Sequence, residues 1–155
     1  MIELRAVEPG DVDEFFTHQL DPGANHMAAF AAKNPADRGV FDLHWQQILS
    51  DSGITVRTIV ADGDVVGSIL AYRDGSIPEI SYWIDRARWG QGITTAAVGL
   101  VLEEFPERPV RARAVADNVS SIRILERYGF KVIGEAQTFA NARGAVVREL
   151  ELELA

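Results

Sequence analysis

The chain contains no cysteine, so disulfides, thiolate metal sites and a cysteine nucleophile are excluded. Long apolar runs are missing too. The longest, Ile93 to Leu102, includes two threonines, and a membrane-spanning helix needs about 20 residues. Lysine is scarce, 2 against 13 arginines, and the net charge is -8. That balance counts against nucleic-acid binding through clustered cations. The first residues set Glu3 and Arg5 among apolar neighbours rather than a basic region before an apolar stretch. No secretory signal is expected, and a cytoplasmic location follows. Repeats, low-complexity tracts and long linkers are also lacking. At 155 residues, 47% hydrophobic, the chain can build one core but not two, so residues 1–155 are expected to form a single domain.

Charge is unevenly spread. Residues 1–85 carry 5 basic and 14 acidic side chains, residues 86–131 carry 8 and 5, and residues 132–155 carry 2 and 4. The locally positive middle segment reads either as a place to steer an anionic ligand or as a cluster of solvated arginines. Apolar periodicity organises the rest. Ile2, Leu4 and Ala6 alternate with Glu3 and Arg5, as in a half-buried strand. Asp11 is expected to cap a helix carrying Val12, Phe15, Phe16 and Leu20 at helical spacing, with Pro22-Gly23 ending it. Phe41, Trp45, Ile48 and Leu49 form a second helical stripe, and Trp45 reads as core. Ile54–Ala61 and Val65–Tyr72 are strands joined by the hairpin signal Asp62-Gly63-Asp64, followed by Ile77–Asp85. A helix from Ile93 to Phe105 stops at Pro106 and Pro109. Then come a strand (Val110–Ala116), a helix (Asn118–Tyr128) closed by Gly129, and two strands (Lys131–Gln137 and Ala145–Leu154). In the last strand Val146, Leu150, Leu152 and Leu154 face away from Glu149, Glu151 and Glu153. Its alternating face reads either as a dimer edge or as a solvated one, so monomer and homodimer both stay open. The order β-α-α-β-β-β-α-β-α-β-β describes a mixed α/β (α+β) domain.

Chemistry is concentrated in Trp83-Ile84-Asp85-Arg86-Ala87-Arg88-Trp89-Gly90-Gln91-Gly92-Ile93-Thr94-Thr95. Here a strand runs through a glycine-containing turn directly into a helix. Free N–H groups at a helix start, at the positive end of its dipole, cradle an anion, and glycine lets a phosphate approach the backbone. Taken alone, the Gly-x-Gly turn is weak, because two glycines commonly just make a turn. No Lys-Ser/Thr follows as in a nucleoside-triphosphate loop, and Thr95 stands where a dinucleotide fingerprint has its third glycine. A phosphate-ligand protein of another kind would use this turn alone.

Downstream comes Asn118-Val119-Ser120-Ser121-Ile122-Arg123-Ile124-Leu125-Glu126-Arg127-Tyr128-Gly129-Phe130. With it, the sequence resembles the GNAT acyltransferase superfamily, which uses acetyl-CoA. The Trp89 to Thr94 turn is similar to the superfamily's pyrophosphate loop, and the Asn118 segment to its second CoA-contacting helix. Glu79-Ile80-Ser81-Tyr82-Trp83-Ile84 resembles the central strand of the subgroup that includes ribosomal-protein alanine N-acetyltransferases. The resemblance covers essentially the whole chain and implies a mainly antiparallel sheet of about seven strands flanked by helices. Two positions depart from the pattern. Thr94 stands where Gly or Ala is common, and Leu125 where many members carry a tyrosine general acid. Tyr128 follows on a different side of the helix.

The resemblance implies direct acetyl transfer from acetyl-CoA to a primary amine in a ternary complex, with coenzyme A contacted by Trp83, Ile84, Trp89, Gly90, Gln91, Gly92, Ile93, Thr94, Thr95, Asn118 and Arg123. A module that binds CoA without catalysis is the alternative. Glu79 matches a glutamate base in histone-modifying members. Ile80, Tyr82 and Trp83 are expected to desolvate it, although a surface carboxylate fits the same pattern. A gap between the Ile77 and Val110 strands would let the pantetheine arm pair with exposed backbone, and N–H groups of Trp83 or Ile84 would meet the oxyanion. Ser121, a turn after Asn118, is the candidate proton donor to the thiolate, with Asn118 also the helix N-cap. Arg86, Arg88 and Arg123 would meet CoA phosphates or simply be solvated. Asn25, His26, Met27 and Phe30 are candidate walls of the acceptor site. A peptide α-amine, with a pKa of about 8 against about 10.4 for lysine, needs less help from a base, which favours α-amines or other low-pKa amines. His18, His26 and His44 lack metal-ligand spacing, so no metal is assigned.

Overall fold

The computed structural model of the protein describes residues 1–155, apart from the side chain of Asp74. Its elements are β1 (Ile2–Arg5), α1 (Asp11–Gln19), α2 (Pro22–Ala28), α3 (Arg38–Ser50), β2 (Thr55–Ala61), β3 (Asp64–Asp74) and β4 (Ile77–Ile84). A single 3-10 turn (Arg86–Arg88) precedes α4 (Ile93–Glu104), β5 (Val110–Val115), α5 (Val119–Arg127), β6 (Lys131–Ala140) and β7 (Ala145–Leu154). The seven strands form one sheet in the order β1-β2-β3-β4-β5-β7-β6. All neighbours are antiparallel except β4 and β5. This is the expected mixed, mainly antiparallel α/β architecture. No helix among the described residues is long and apolar enough to cross a membrane.

Strand alternation gives the sheet two packed faces. On one, Ile59, Val66, Ile69, Ile80 and Ile84 meet Ile93, Ala97, Val98 and Val101 of α4 and Leu125 of α5. On the other, Leu70, Val56 and Val65 pack against Phe15 of α1 and Trp45 and Ile48 of α3. Trp45 is core, as its spacing implied. The Asp62-Gly63 hairpin turn carries φ of 50° and 89°, the paired positive values whose twist matches antiparallel strands.

Three expectations are corrected. Pro22 does not end the helical region but opens α2. The Asp21 carboxylate caps it by accepting from the N–H groups of Gly23 (2.7 Å) and Ala24 (3.1 Å), and proline suits a first turn, where its missing N–H has no partner to lose. The chain therefore has a third helix before β2. β7 is no edge either, because it is enclosed between β5 and β6, and its acidic face meets arginines of β5. Arg111 donates to Glu153 at 2.9 Å and lies 3.0 Å from Glu151. The edge strands are β1 and β6. Asp11, finally, lies inside the first turn of α1 after Gly10 at the cap position.

Asp11 is 3% exposed because Arg5 and Thr58, opposite each other in the β1/β2 register, point donors at the same spot. Its carboxylate accepts from Arg5 at 2.6 and 3.0 Å, the Glu8 N–H at 2.8 Å and the Thr58 hydroxyl at 2.7 Å. Burial alone would raise its pKa. The hydrogen bonds from Arg5, Glu8 and Thr58 outweigh that and hold it below the ordinary carboxylate value. The resulting stabilisation is present above the unfolded pKa and is lost as pH falls through the folded one. Replacing Asp11 by Ala removes the acceptor of the Arg5, Glu8 N–H and Thr58 hydroxyl hydrogen bonds and should destabilise the fold by about 2 kcal/mol. Urea unfolding at neutral pH measures the loss, and the difference from wild type should shrink towards acid pH.

Candidate active site

β4 and β5 are registered at one position, Glu79 opposite Arg111, and beyond it they diverge. The ladder with β3 decides which backbone groups of β4 face the opening. Asp85 donates its N–H to the Val66 carbonyl at 2.8 Å. In an antiparallel ladder of that register the backbone groups of Ser81 and Trp83 turn to β3, and those of Tyr82 and Ile84 turn towards β5. The N–H groups of Tyr82 and Ile84 thus face the cleft. Of the two proposed donors, Ile84 is placed there, whereas the Trp83 N–H is engaged in the β3 ladder.

The turn after β4 stands at the end of this opening. The Trp89 indole donates to the Ile84 carbonyl at 3.0 Å, tying the loop to the strand end. Gly90 and Gly92 have φ of 79° and 77°, a backbone that L side chains resist, and a Cβ added to either would meet nothing within 4 Å. The concave backbone is thus open in front of both glycines. No side chain caps α4 at Gly92, so the N–H groups of Ile93, Thr94 and Thr95 have no capping partner. Ile93 itself is 3% exposed, and only its backbone can meet a ligand. Gln91 is exposed, and Thr94 and Thr95 are half-buried.

α5 flanks the cleft on the α4 side. The Asn118 side chain accepts from the Ser121 N–H at 3.3 Å as the N-cap. The Ser121 hydroxyl pairs with the Tyr82 hydroxyl at 2.5 Å. Burial pushes the Tyr82 pKa up, against the opposing Ser121 hydrogen bond, so the phenol stays protonated. Tyr82 was read in the sequence only as a neighbour of Glu79, although alternation along β4 already separates even from odd positions. Leu125 is fully buried in the core. Tyr128 donates to the Thr95 carbonyl and passes over Gly99, where a Cβ would come 2.6 Å from its hydroxyl. It holds α5 to α4.

Glu79 lies on the opposite face and is 5% exposed. Its carboxylate accepts from the Tyr72 hydroxyl at 2.9 Å and from Arg113 at 2.9 and 3.1 Å. Ile80 and Tyr82 point to the other face and do not desolvate it. Burial comes instead from its own face, with an arginine reaching back across the start of the opening. Arg113 and Tyr72 carried no recognisable motif, because only the β3/β4/β5 pairing assembles them.

The remaining candidates are more dispersed. The Asn25 amide donates to the Gln19 and Asp21 carbonyls at 2.6 and 3.0 Å, fastening the α1–α2 turn. His26 and Phe30 are exposed and Met27 is half-buried, and the His26 carbonyl accepts from Arg143 at 2.6 Å. Arg86 pairs with Asp21 and Arg88 with Asp64, so both are neutralised locally. Arg123 is exposed on α5.

Residues 2–131 match the family described as Acetyltransferase (GNAT) domain. No curated protein matches the chain. Among solved structures, a probable acetyltransferase is 25% identical with a TM-score of 0.79, over 99% of this chain and 92% of that one. A spermidine N-acetyltransferase from Vibrio cholerae in complex with CoA and spermine is 14% identical with a TM-score of 0.84, over 99% and 94%. A ribosomal-protein-alanine N-acetyltransferase from Brucella melitensis is 20% identical with a TM-score of 0.82, over 98% of each chain.

The loop geometry can be tested without a ligand. Replacing Gly92 by Ala forces a side chain into the left-handed region and should lower stability by about 1–2 kcal/mol, read from the urea midpoint. An unchanged midpoint would mean that the loop adopts another conformation in solution.

Proposed function

The chain belongs to the GNAT acetyltransferase family, and from that premise we propose that it transfers acetyl directly from acetyl-CoA to a primary amine in a ternary complex. The observation that carries this reading is the opening between β4 and β5, which ends at an uncapped helix start behind Gly90 and Gly92. Open backbone in front of both glycines fits a pyrophosphate at the N–H groups of residues 92–95. The cleft-facing groups of Tyr82 and Ile84 fit an extended amide-containing arm. When bound, acetyl-CoA supplies the activated acyl group.

The chain's own residues then have three tasks. Glu79, buried opposite the α4/α5 side, takes the proton of the incoming ammonium directly or through water. The Ile84 or Tyr82 N–H stabilises negative charge developing on the carbonyl oxygen. As the C–N bond forms and the C–S bond breaks, the Ser121 hydroxyl, oriented by its hydrogen bond to Tyr82, donates to the departing thiolate and passes it a proton taken up from solvent, while Tyr82 stays protonated. A pair of hydroxyls from β4 and α5 thus stands in for the tyrosine that Leu125 replaces. The acceptor is an α-amine or another amine of low pKa, approaching from the α1–α3 side, and the reaction takes place in the cytoplasm.

Calorimetric titration should give saturable one-site binding of acetyl-CoA and none of NAD or ATP. No binding of acetyl-CoA at high micromolar concentration would overturn the reading. Ser121→Ala keeps the N–H that Asn118 caps, so the fold should persist and acetyl-CoA affinity hold. Its kcat should fall by on the order of 10²-fold. Binding with no turnover in wild type across amines would instead favour a CoA-binding module without catalysis.

A further inference from the structure

Ser81 is exposed although it lies midway along β4, the fourth of seven strands. Leu70, opposite it on β3, packs under α1 and α3. The helical layer on this face therefore stops short of Ser81 and leaves a gap beside the opening towards β5. Three further side chains belong to the gap. Arg113 of β5 is exposed, Glu79 of β4 is buried, and Tyr72 of β3 is half-buried. Tyr72 stands directly opposite Glu79 in the β3/β4 register, so both side chains share one face.

Glu79 is the base of the proposed reaction, yet its carboxylate is enclosed by its partners. One oxygen accepts from Arg113 at 2.9 and 3.1 Å, and the other accepts from the Tyr72 hydroxyl at 2.9 Å. That takes three of the roughly four lone-pair sites a carboxylate offers. Among the described residues no other side chain donates to it. A proton released in the gap must therefore reach Glu79 past one of these two partners. Arg113 cannot carry it, because a guanidinium has no acceptor and keeps its own protons. A phenol both donates and accepts, and 2.9 Å is the distance of a single proton hop.

We propose that Tyr72 is the proton relay between the acceptor amine and Glu79. The ammonium donates to the Tyr72 oxygen as the Tyr72 proton moves to Glu79. The amine becomes a neutral nucleophile, Glu79 becomes a carboxylic acid, and Tyr72 ends as the phenol it began as. Glu79 later returns its proton to solvent by the same path. This assignment rests on the acetyl-transfer reading above and narrows its route of proton removal to one side chain.

The test compares Tyr72→Phe and Glu79→Gln with wild type, using alanine amide and methionine amide as acceptors. Roughly two pH units below the amines' pKa of about 8, both variants should lose on the order of 10²-fold in kcat/KM. Both deficits should narrow as pH rises towards that pKa, because an amine arriving uncharged needs no base. Following pH within one variant cancels any loss of folded protein. A purely structural role for Tyr72 would lower its rate by one factor at every pH, and that result, or an unchanged rate, overturns the relay. Acetylation that survives Glu79→Gln undiminished overturns the relay and the base together while leaving acetyl transfer standing. A second readout is independent of turnover. With ¹³C at Cζ of the three tyrosines, the Tyr72 signal of the CoA-bound protein, identified by its loss in Tyr72→Phe, should move on adding either amine. Tyr128, held between α4 and α5, should not move. If neither amine is acetylated, a moved Tyr72 signal still supports amine contact here, and an unmoved one overturns it.

Discussion

Parallel strands that touch at one register position are the constraint around which the rest of this structure is arranged. Once β4 and β5 part beyond Glu79 and Arg111, each leaves backbone donors and acceptors without ladder partners. An unfilled opening in mid-sheet persists only if neighbouring elements hold its walls and water or a ligand satisfies its edges. The walls here are held from three directions. Arg113 reaches from β5 to the Glu79 carboxylate on β4, Trp89 ties the following loop to the Ile84 carbonyl, and Tyr128 locks α5 to α4.

Strand alternation then sorts chemistry onto two sides of that opening. Ile80, Tyr82 and Ile84 turn their side chains to α4 and α5, where Ser121 waits. Glu79, Ser81 and Trp83 turn theirs to α1 and α3. In the proposed reaction, proton donation to the leaving thiolate belongs to the first side, and proton removal and the approach of the acceptor belong to the second. A single strand supplies both, and a one-residue slip in its register would exchange them. The Asp11 cluster serves this indirectly, by fastening α1, which carries Phe15 and His18, to the β1/β2 edge.

Much of the site was legible wherever one contiguous segment carries the signal. The Gly90–Gly92 turn is a strand-to-helix junction within a few residues, and its positive φ values follow from glycine at both places. Asn118 as an N-cap and Gly129 as a helix stop are likewise local. The gap between the Ile77 and Val110 strands came from the family resemblance rather than from any one segment, and β4 and β5 share only the Glu79–Arg111 register position. What failed mostly involved partners outside the local segment. Asp11 has the composition of a cap, yet Arg5 and Thr58 claim it from two strands. Pro22-Gly23 is the local exception: it has the composition of a stop, yet the adjacent Asp21 caps a new helix there. The final strand has an edge-like alternation, yet the returning hairpin places it inside the sheet.

By itself, then, the sequence determined the order of the strands and most helices, the family, the Gly90–Gly92 turn at a helix start and the hydroxyl-bearing helix α5. Each is set by chemistry within about one turn or one strand of itself. Only the tertiary structure decided which groups share the cleft. Tyr82 meets Ser121 across 39 positions and Arg113 meets Glu79 across 34. The cavity lined by Phe15, Phe41 and Trp45 comes from α1, α3, β3 and β4 together. Such encounters follow from strand register and helix docking, which depend on the whole core at once and leave no mark in any one segment.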